Sequence, residues 1–321
     1  MFLRCLLGAL LLLSSALNIK AQTPFTVMAY NIENAFDTYH DEGKDDLDFC
    51  EGGSKGWTKS RLFKKLRGVG KTIVAADEYR PIDLIALCEV ENDTVMEYLI
   101  HRTPLRNLEY QYIMNKSDDA RGIDVALLYS SFTFHPVETQ HIHTPTSKPA
   151  HYIRDILRVS GTIFNGDTVD VYVLHLPSKL GGGAAHKRSM KATQALKENA
   201  DSICAIRKHP NIIIMGDFNA ETRSPQLKML TSDGILTDHT APLHPGTYKY
   251  HGNWSTLDHI LTHTTTLSPI SAKILTFPFL IEPDETYGGF KPHRTYTGPI
   301  YRGGISDHLP VVMRFEINKI Q

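Results

Sequence analysis

Ile212-Ile213-Ile214-Met215-Gly216-Asp217-Phe218-Asn219 is the stretch whose reading decides the fold. Four apolar residues in succession make a short strand, and Gly216 ends it on two polar side chains. Alone, Asp-Phe-Asn after a strand is an ordinary turn, because Asp and Asn bond local backbone readily. Its meaning depends on how the other strands end.

Several end in the same manner. Phe25 to Tyr30 reads as a strand closing on Asn31, with Glu33 two residues on, in YNIEN. Leu84 to Cys88 leads directly into Glu89, in LCEVEN, and Val169 to Leu174 into His175, in VLHLPSK. Asp258-His259 lies within the segment Leu257 to Leu261. Ser306-Asp307-His308 stands immediately before a last strand, Pro310 to Phe315. In GIDVALLY, Asp124 opens the strand Val125 to Tyr129. A carboxylate such as Glu89 at a buried strand end is expensive to desolvate unless a cation or donor meets it. Hard oxygen donors of this kind suit Mg²⁺ or Mn²⁺.

Further β segments are predicted at Tyr110 to Met114, Thr133 to Gln140 and Leu157 to Phe164. Leu62, Leu66, Val69 and Ile73 recur at helical spacing, predicting a helix from Lys59 to Ala76 with Thr58 as N-cap. Helices are also expected near Thr94 to His101 and over His186 to Arg207. Many strands, few helices and polar strand ends predict an α/β (α+β) fold with two packed sheets flanked by helices. Two long loops, Asp37 to Trp57 and Pro278 to Ser306, have no predicted structure of their own, which is uncommon unless they are functional or disordered.

The set Asn31, Glu89, Asp217-x-Asn219, Asp258-His259 and Ser306-Asp307-His308, in this order, resembles the endonuclease/exonuclease/phosphatase superfamily. The likeness runs from Asn31 to about Phe315, and GDFN followed by SDHLP is the specific part of it. It implies a four-layered α/β sandwich of two mixed sheets, with the site at one edge. By similarity, Glu89 is the principal Mg²⁺ or Mn²⁺ ligand, with Asn31 and Asp307 close to metal and phosphate. Asp258 would pair with His308 and hold its tautomer. Asp217 would orient or deprotonate the attacking water, and Asn219 would donate to a phosphoryl oxygen; whether Asp217 or His308 is the base stays open. His175 resembles a histidine near the leaving oxygen, with Asp124 in the place of its acidic partner. Glu33 stands where many nucleases carry Asp, and His259 where Tyr is frequent.

Bulk properties narrow the partners. Arg4 followed by the apolar run Leu6 to Leu17 predicts a signal peptide over 1–21, too short to favour a membrane span, with Ala21 before the cleavage point. The remaining domain, 22–321, is then exported to the periplasm or exterior without a stable membrane anchor. Loss of Arg4 and Lys20 takes the net charge from -1 to -3, so no strong basic field advertises nucleic acid. Cys50, Cys88 and Cys204 are too few for a disulfide scaffold, although a Cys50–Cys204 bridge is open.

Other clusters read more simply. The acidic loop Asp41 to Asp48 offers Ca²⁺ ligands but lacks the EF-hand glycine and closing Glu, so a solvated loop is expected. His141 and His143 read as surface histidines, and His293 and Arg294 as solvated loop residues, with phosphate contact at the rim the alternative. The function expected is hydrolysis of a phosphodiester substrate, nucleic acid first, by an exported nuclease. A phosphatase or sphingomyelinase-like enzyme comes second, and a non-catalytic binding protein of the same fold third.

Overall fold

The computed structural model describes residues 24–77, 79–144, 154–178 and 182–318; the expected signal peptide lies outside the described residues. The first sheet contains β1 (Pro24–Ala35), β2 (Leu84–Val90), β3 (Tyr110–Met114) and β4 (Asp124–Ser130). The second begins with β5 (Phe134–Ile142), β6 (Ile156–Ile163), β7 (Thr168–His175) and β8 (Asn211–Asp217). It is completed by β9 (Thr237–Asp238), while β10 (Tyr248–Tyr250) and β11 (Asn253–Ser255) form a separate hairpin. After β12 (Asp258–Thr264) and β13 (Leu267–Ile274), two small hairpins follow: β14 (Ile281–Pro283) with β15 (Phe290–Pro292), and β16 (Tyr296–Thr297) with β17 (Ile300–Tyr301). The last strand is β18 (Val311–Ile317). The helices are α1 (Lys59–Ala76), α2 (Asp93–His101), α3 (Gly182–Ile206) and α4 (Pro225–Thr231).

Each sheet has six strands, in the orders β13-β18-β1-β2-β4-β3 and β5-β6-β7-β8-β12-β9. Both are mixed for the same reason. A helix crosses from β1 to β2 and another from β7 to β8, and each of those pairs is parallel, while the other neighbours, such as β1 with β18 and β8 with β12, are antiparallel.

Strand alternation builds the layers. Val171, Val173, Ile213 and Met215 point into the core between the sheets, where they meet Val27, Ala29 and Ala86. Their neighbours Tyr172, Leu174, Ile212 and Ile214 face outward and are covered by Ala192, Leu196 and Ala200 of α3 and Leu227 of α4. On the other side, Leu62, Leu66, Val69 and Ile73 of α1 and Val95 and Leu99 of α2 cover the first sheet. The result is the expected two mixed sheets flanked by helices. Among the described residues, no helix is long and apolar enough to cross a membrane.

Sequence reading placed α1 to the residue, and Thr58 caps it by accepting from the Arg61 N–H at 3.3 Å. Neither long loop is bare: the first contains a 3-10 turn at Leu47–Phe49, the second the two hairpins β14/β15 and β16/β17. No Cys50–Cys204 bridge forms. Cys50 packs against the acidic loop beside the first sheet and Cys204 against the helical cover of the second, and both are free thiols.

Candidate active site

The parallel pairs β1/β2 and β7/β8 deliver their C-terminal ends to one edge of the sandwich. The antiparallel strands β12 and β18 start at that same edge, Asp258 facing Asp217 and Val311 facing Ala29. His175 lies opposite Asp217 in the β7/β8 register. Residues scattered from 31 to 308 are thus gathered by topology.

Gly216 is needed where it stands. Its φ is 140°, and a Cβ there would lie 2.1 Å from the Leu174 carbonyl oxygen. Close approach of β8 to β7 therefore excludes any side chain at the residue before Asp217. Strain is concentrated here. Of the six non-glycine residues with positive φ among those described, Glu33, Asn34, Glu89 and Asn219 belong to this edge. At Glu89 the register shifts between Cys88 and Val90, a bulge that turns the carboxylate out of the sheet toward the cleft.

The centre is a connected network. Asn31 Nδ2 donates to Asp217 Oδ2 at 2.9 Å and to Glu89 Oε1 at 3.4 Å. Its oxygen is already engaged by the Glu33 N–H at 2.9 Å. Asn31 thus orients both carboxylates through its NH₂. Glu89 Oε2 accepts the Asn34 N–H at 2.7 Å. Ser306 Oγ donates to the Asn31 carbonyl at 2.7 Å and accepts from the His308 N–H at 3.0 Å, locking the Ser-Asp-His turn to β1.

His308 Nδ1 lies 2.7 Å from Asp258 Oδ2, and its Nε2 lies 3.9 Å from Asp217 Oδ2. Burial opposes a charge on His308, but Asp258 and Asp217 outweigh it and hold the imidazole well above its usual range. Burial and the Asp258 charge push Asp217 up to about 7, against the pull of His308, the Asn219 N–H and Asn31. Burial raises Glu89, yet Arg121, the Asn34 N–H, His308 and Arg154 bring it below the usual carboxylate range. Asn219 donates from its backbone to Asp217 Oδ1 at 2.8 Å and from Nδ2 to the Leu176 carbonyl at 2.9 Å, so part of its amide is spent on placing itself.

The expected Asp124–His175 dyad does not form. Asp124 accepts from the Ser117 N–H at 2.9 Å and the Ser117 hydroxyl at 2.6 Å, because the turn before β4 folds back over the strand's first residue. His175 is buried, with Nε2 3.5 Å from Asp217 and 3.9 Å from Glu89, while its Nδ1 has no hydrogen-bond partner among the described residues. Burial, Arg154, Arg121 and His308 all disfavour its cation and keep its pKa well below the usual histidine value.

A cavity of about 790 Å³ opens over the centre, lined by Glu89, His175, Asp217, Asn219, Asp307 and His308. Arg121, Arg154, Arg188 and Tyr248 line it too, and sequence reading missed all four. None lies in a strand-end motif: Arg121 sits in a polar turn, Arg188 on α3, and Arg154 just ahead of β6. Tyr248 was hidden in a hairpin too short to register as periodic; it packs on His308 with ring centroids 5.0 Å apart. Arg294, expected as a solvated loop residue, reaches Asp307 at 3.7 Å and lies over the Tyr248 ring.

The donor set fits a hard divalent cation. Glu89 and Asp307 are partly exposed carboxylates facing one cavity, with imidazole and amide groups behind them. Asp217, Asp258 and His308 also lie within ligand spacing of one another, but the imidazole is taken up by the two carboxylates that flank it. The acidic loop satisfies its own groups: Asp46 accepts from the Asp41 N–H and contacts His40 Nδ1. His143 pairs with Asp155 and His141 with Asn115, away from the centre.

Comparison with known proteins agrees with this architecture. A search of curated proteins returns no match. Among solved structures, an endonuclease/exonuclease/phosphatase family protein from Bacteroides thetaiotaomicron superposes with a TM-score of 0.61 at 17% identity, covering 93% of this chain and 99% of that one. A mannosyl-6-phosphatase from the same organism gives 0.59 at 17% identity, covering 91% and 99%. The human nocturnin catalytic domain, solved with a bound sulfate anion, gives 0.58 at 22% identity, covering 92% and 95%. The model of the endonuclease/exonuclease/phosphatase family matches residues 26–317, and the chain belongs to that family.

Proposed function

We propose that the protein is an exported, divalent-metal-dependent phosphoester hydrolase that uses water as its nucleophile. The observation that carries the reading is His308, fixed by Asp258 and facing Asp217 across a cavity that Glu89 and Asp307 also line. Glu89 and Asp307 would hold Mg²⁺ or Mn²⁺, with Asn31 keeping Glu89 in place. The ion supplies polarisation of the phosphoryl oxygens and neutralises charge that builds on them.

The chain's own residues do the rest. An imidazole between two carboxylates carries a proton, so His308 Nε2 donates to a phosphoryl oxygen and stabilises the charge there. Asp217, held by Asn31 and Asn219, accepts the proton of the attacking water. Rigid placement of these groups at strand ends replaces the entropy that a reaction in solution would lose.

A screen of the purified mature protein tests this, with Mg²⁺ or Mn²⁺ against chelator. Substrates are plasmid DNA, RNA, bis-p-nitrophenyl phosphate, p-nitrophenyl phosphate and sphingomyelin. Metal-dependent turnover of at least one is expected, and His308→Ala should lower it by roughly 10²- to 10⁴-fold. Undiminished turnover by that variant would sink the assignment. The DNA and RNA arms decide the nuclease expectation, which cleavage of the monoester alone would remove.

A further inference from the structure

We propose that Arg121, Arg154 and Arg188 form a guanidinium wall that selects phosphomonoesters, with their third free phosphoryl oxygen and second charge, over phosphodiesters. The proposal rests on the phosphoester reading above and names its substrate class.

Three separate chain segments bring these arginines to one cavity: the turn before β4, the entrance to β6 and the early part of α3. Arg154 is buried, its Nε donating to the His175 carbonyl at 3.2 Å and its Nη1 to Asp119 Oδ2 at 2.7 Å. Its guanidinium is therefore fixed against the strand end that carries His175. Arg121 leans on the same carboxylate more loosely, at 4.0 Å, and is about half exposed, at 47%. Arg188 has no ion-pair partner among the described residues. Apart from the metal-side and acid–base carboxylates, the cavity wall carries one acidic residue, Asp119, against three arginines. The surplus is cationic.

A phosphoryl group placed for in-line attack has its oxygens shared among the surrounding donors. Glu89 and Asp307, with the cation they would hold, would serve one side, and His308 with Asn219 a second. The arginines face what remains. In a monoester that remaining oxygen is free and charged, and a guanidinium can grip it with charge-assisted hydrogen bonds. In a diester the same oxygen carries a carbon substituent, cannot accept such bonds well, and leaves the surplus cations uncompensated. A wall of this kind gives little to a substrate with one charge and much to one with two.

Two substrates with a shared leaving group isolate the effect: p-nitrophenyl phosphate and methyl p-nitrophenyl phosphate, which differ by one methyl group and one charge. The metal-loaded wild-type protein should have the higher kcat/KM on the monoester. Arg121→Ala and Arg188→Ala, neither of which strips a fully buried charge, should each lower the monoester-to-diester ratio of kcat/KM by roughly 10- to 100-fold. Arg121→Lys should restore part of it. Below the second phosphate pKa, about 6, the wild-type ratio should fall as the monoester takes up a proton. Inorganic phosphate should inhibit the wild type competitively and the two alanine variants more weakly. A wild-type preference for the methyl diester, or ratios unchanged in both alanine variants, would overturn the selectivity while leaving the hydrolase reading intact. Absence of hydrolysis of both esters would overturn the selectivity, and would overturn the hydrolase reading as well only if plasmid DNA, RNA, bis-p-nitrophenyl phosphate and sphingomyelin were also left uncut.

Discussion

His259 follows Asp258 by one position and points to the opposite face of the sheet, where all its hydrogen-bonding capacity is taken. Nδ1 contacts Asp238 Oδ2 at 3.0 Å and Thr240 Oγ1 at 2.7 Å; Nε2 contacts the carbonyls of Ala220 at 2.9 Å and Thr256 at 3.1 Å. Carbonyl and carboxylate oxygens only accept, so both ring nitrogens donate and the buried ring is an imidazolium. Burial lowers its pKa, but Asp238 and the Ala220 carbonyl outweigh that and raise it. Asp238 is displaced the other way: burial lifts it, and His259 and Thr240 bring it below the ordinary value. The raised His259 contributes stability in full below about pH 6.5, its unfolded pKa, and loses it as pH climbs through the folded one. Asp238 contributes above about pH 3.9 and loses its share as pH falls through its own folded pKa. His259→Phe should therefore destabilise the protein by about 3–5 kcal/mol near pH 6, by leaving Asp238 buried without its cation. Urea unfolding should show that deficit shrinking at pH 9; a pH-independent deficit would mean the ring is neutral in the folded protein.

Elements are tied to the centre through less visible links. Lys65 of α1 is buried and donates from Nζ to Thr295 Oγ1 at 2.6 Å and to the Ile305 carbonyl at 2.7 Å. Glu33, just past the Asn31 turn, accepts the N–H groups of Thr295 and Tyr296 at 2.7 and 3.1 Å. The segment from Pro278 to Ser306 is thus clamped from a helix and from a strand, two residues short of Asp307. Lys65→Met should cost about 1–3 kcal/mol, since Thr295 Oγ1 and the Ile305 carbonyl would each lose a buried donor. It should also open that segment to limited proteolysis and lower turnover together with stability. An unchanged cleavage pattern would show that the hairpins hold themselves.

The same clamp marks the limit of sequence reading at this scale. α1 was legible from Leu62, Leu66, Val69 and Ile73, but nothing in that period announces a buried Lys65 reaching a loop more than two hundred residues away. The centre was legible where it sits on strand ends, because Glu89 and Asp217 each stop an apolar run and His308 stands just ahead of one. It was not legible where side chains approach from turns and helices, as Arg121, Arg154 and Arg188 do. The Asp124 pairing failed for a local reason: Ser117 is a nearer donor than His175. Edge strands show a signal that becomes readable only with the sheet in view. Pro136 in β5 and Pro269 in β13 both fall at a register shift, and both strands are sheet edges, where a residue without an N–H does least harm.

At the scale of the whole molecule, the first sheet closes late. β18 is inserted between β13 and β1, and Phe315, Val311 and Met313 belong to the core it completes. A chain ending after Ser306 should therefore lack stable tertiary structure, although every helix and most strands would be present. Near-ultraviolet circular dichroism and a cooperative thermal transition measure this. A native-like melt of the shortened chain would show that the sheet closes without its penultimate strand.

That placement has a consequence in time. During synthesis Asn31 leaves the ribosome before Glu89, while Asp307, His308 and the strand that seats them emerge more than two hundred residues after Glu89. The whole span from Asn31 to His308 must be made before the pieces of the centre can meet. A nascent chain of this design carries no complete centre, and the moment it can close its first sheet and the moment its centre is assembled are one and the same.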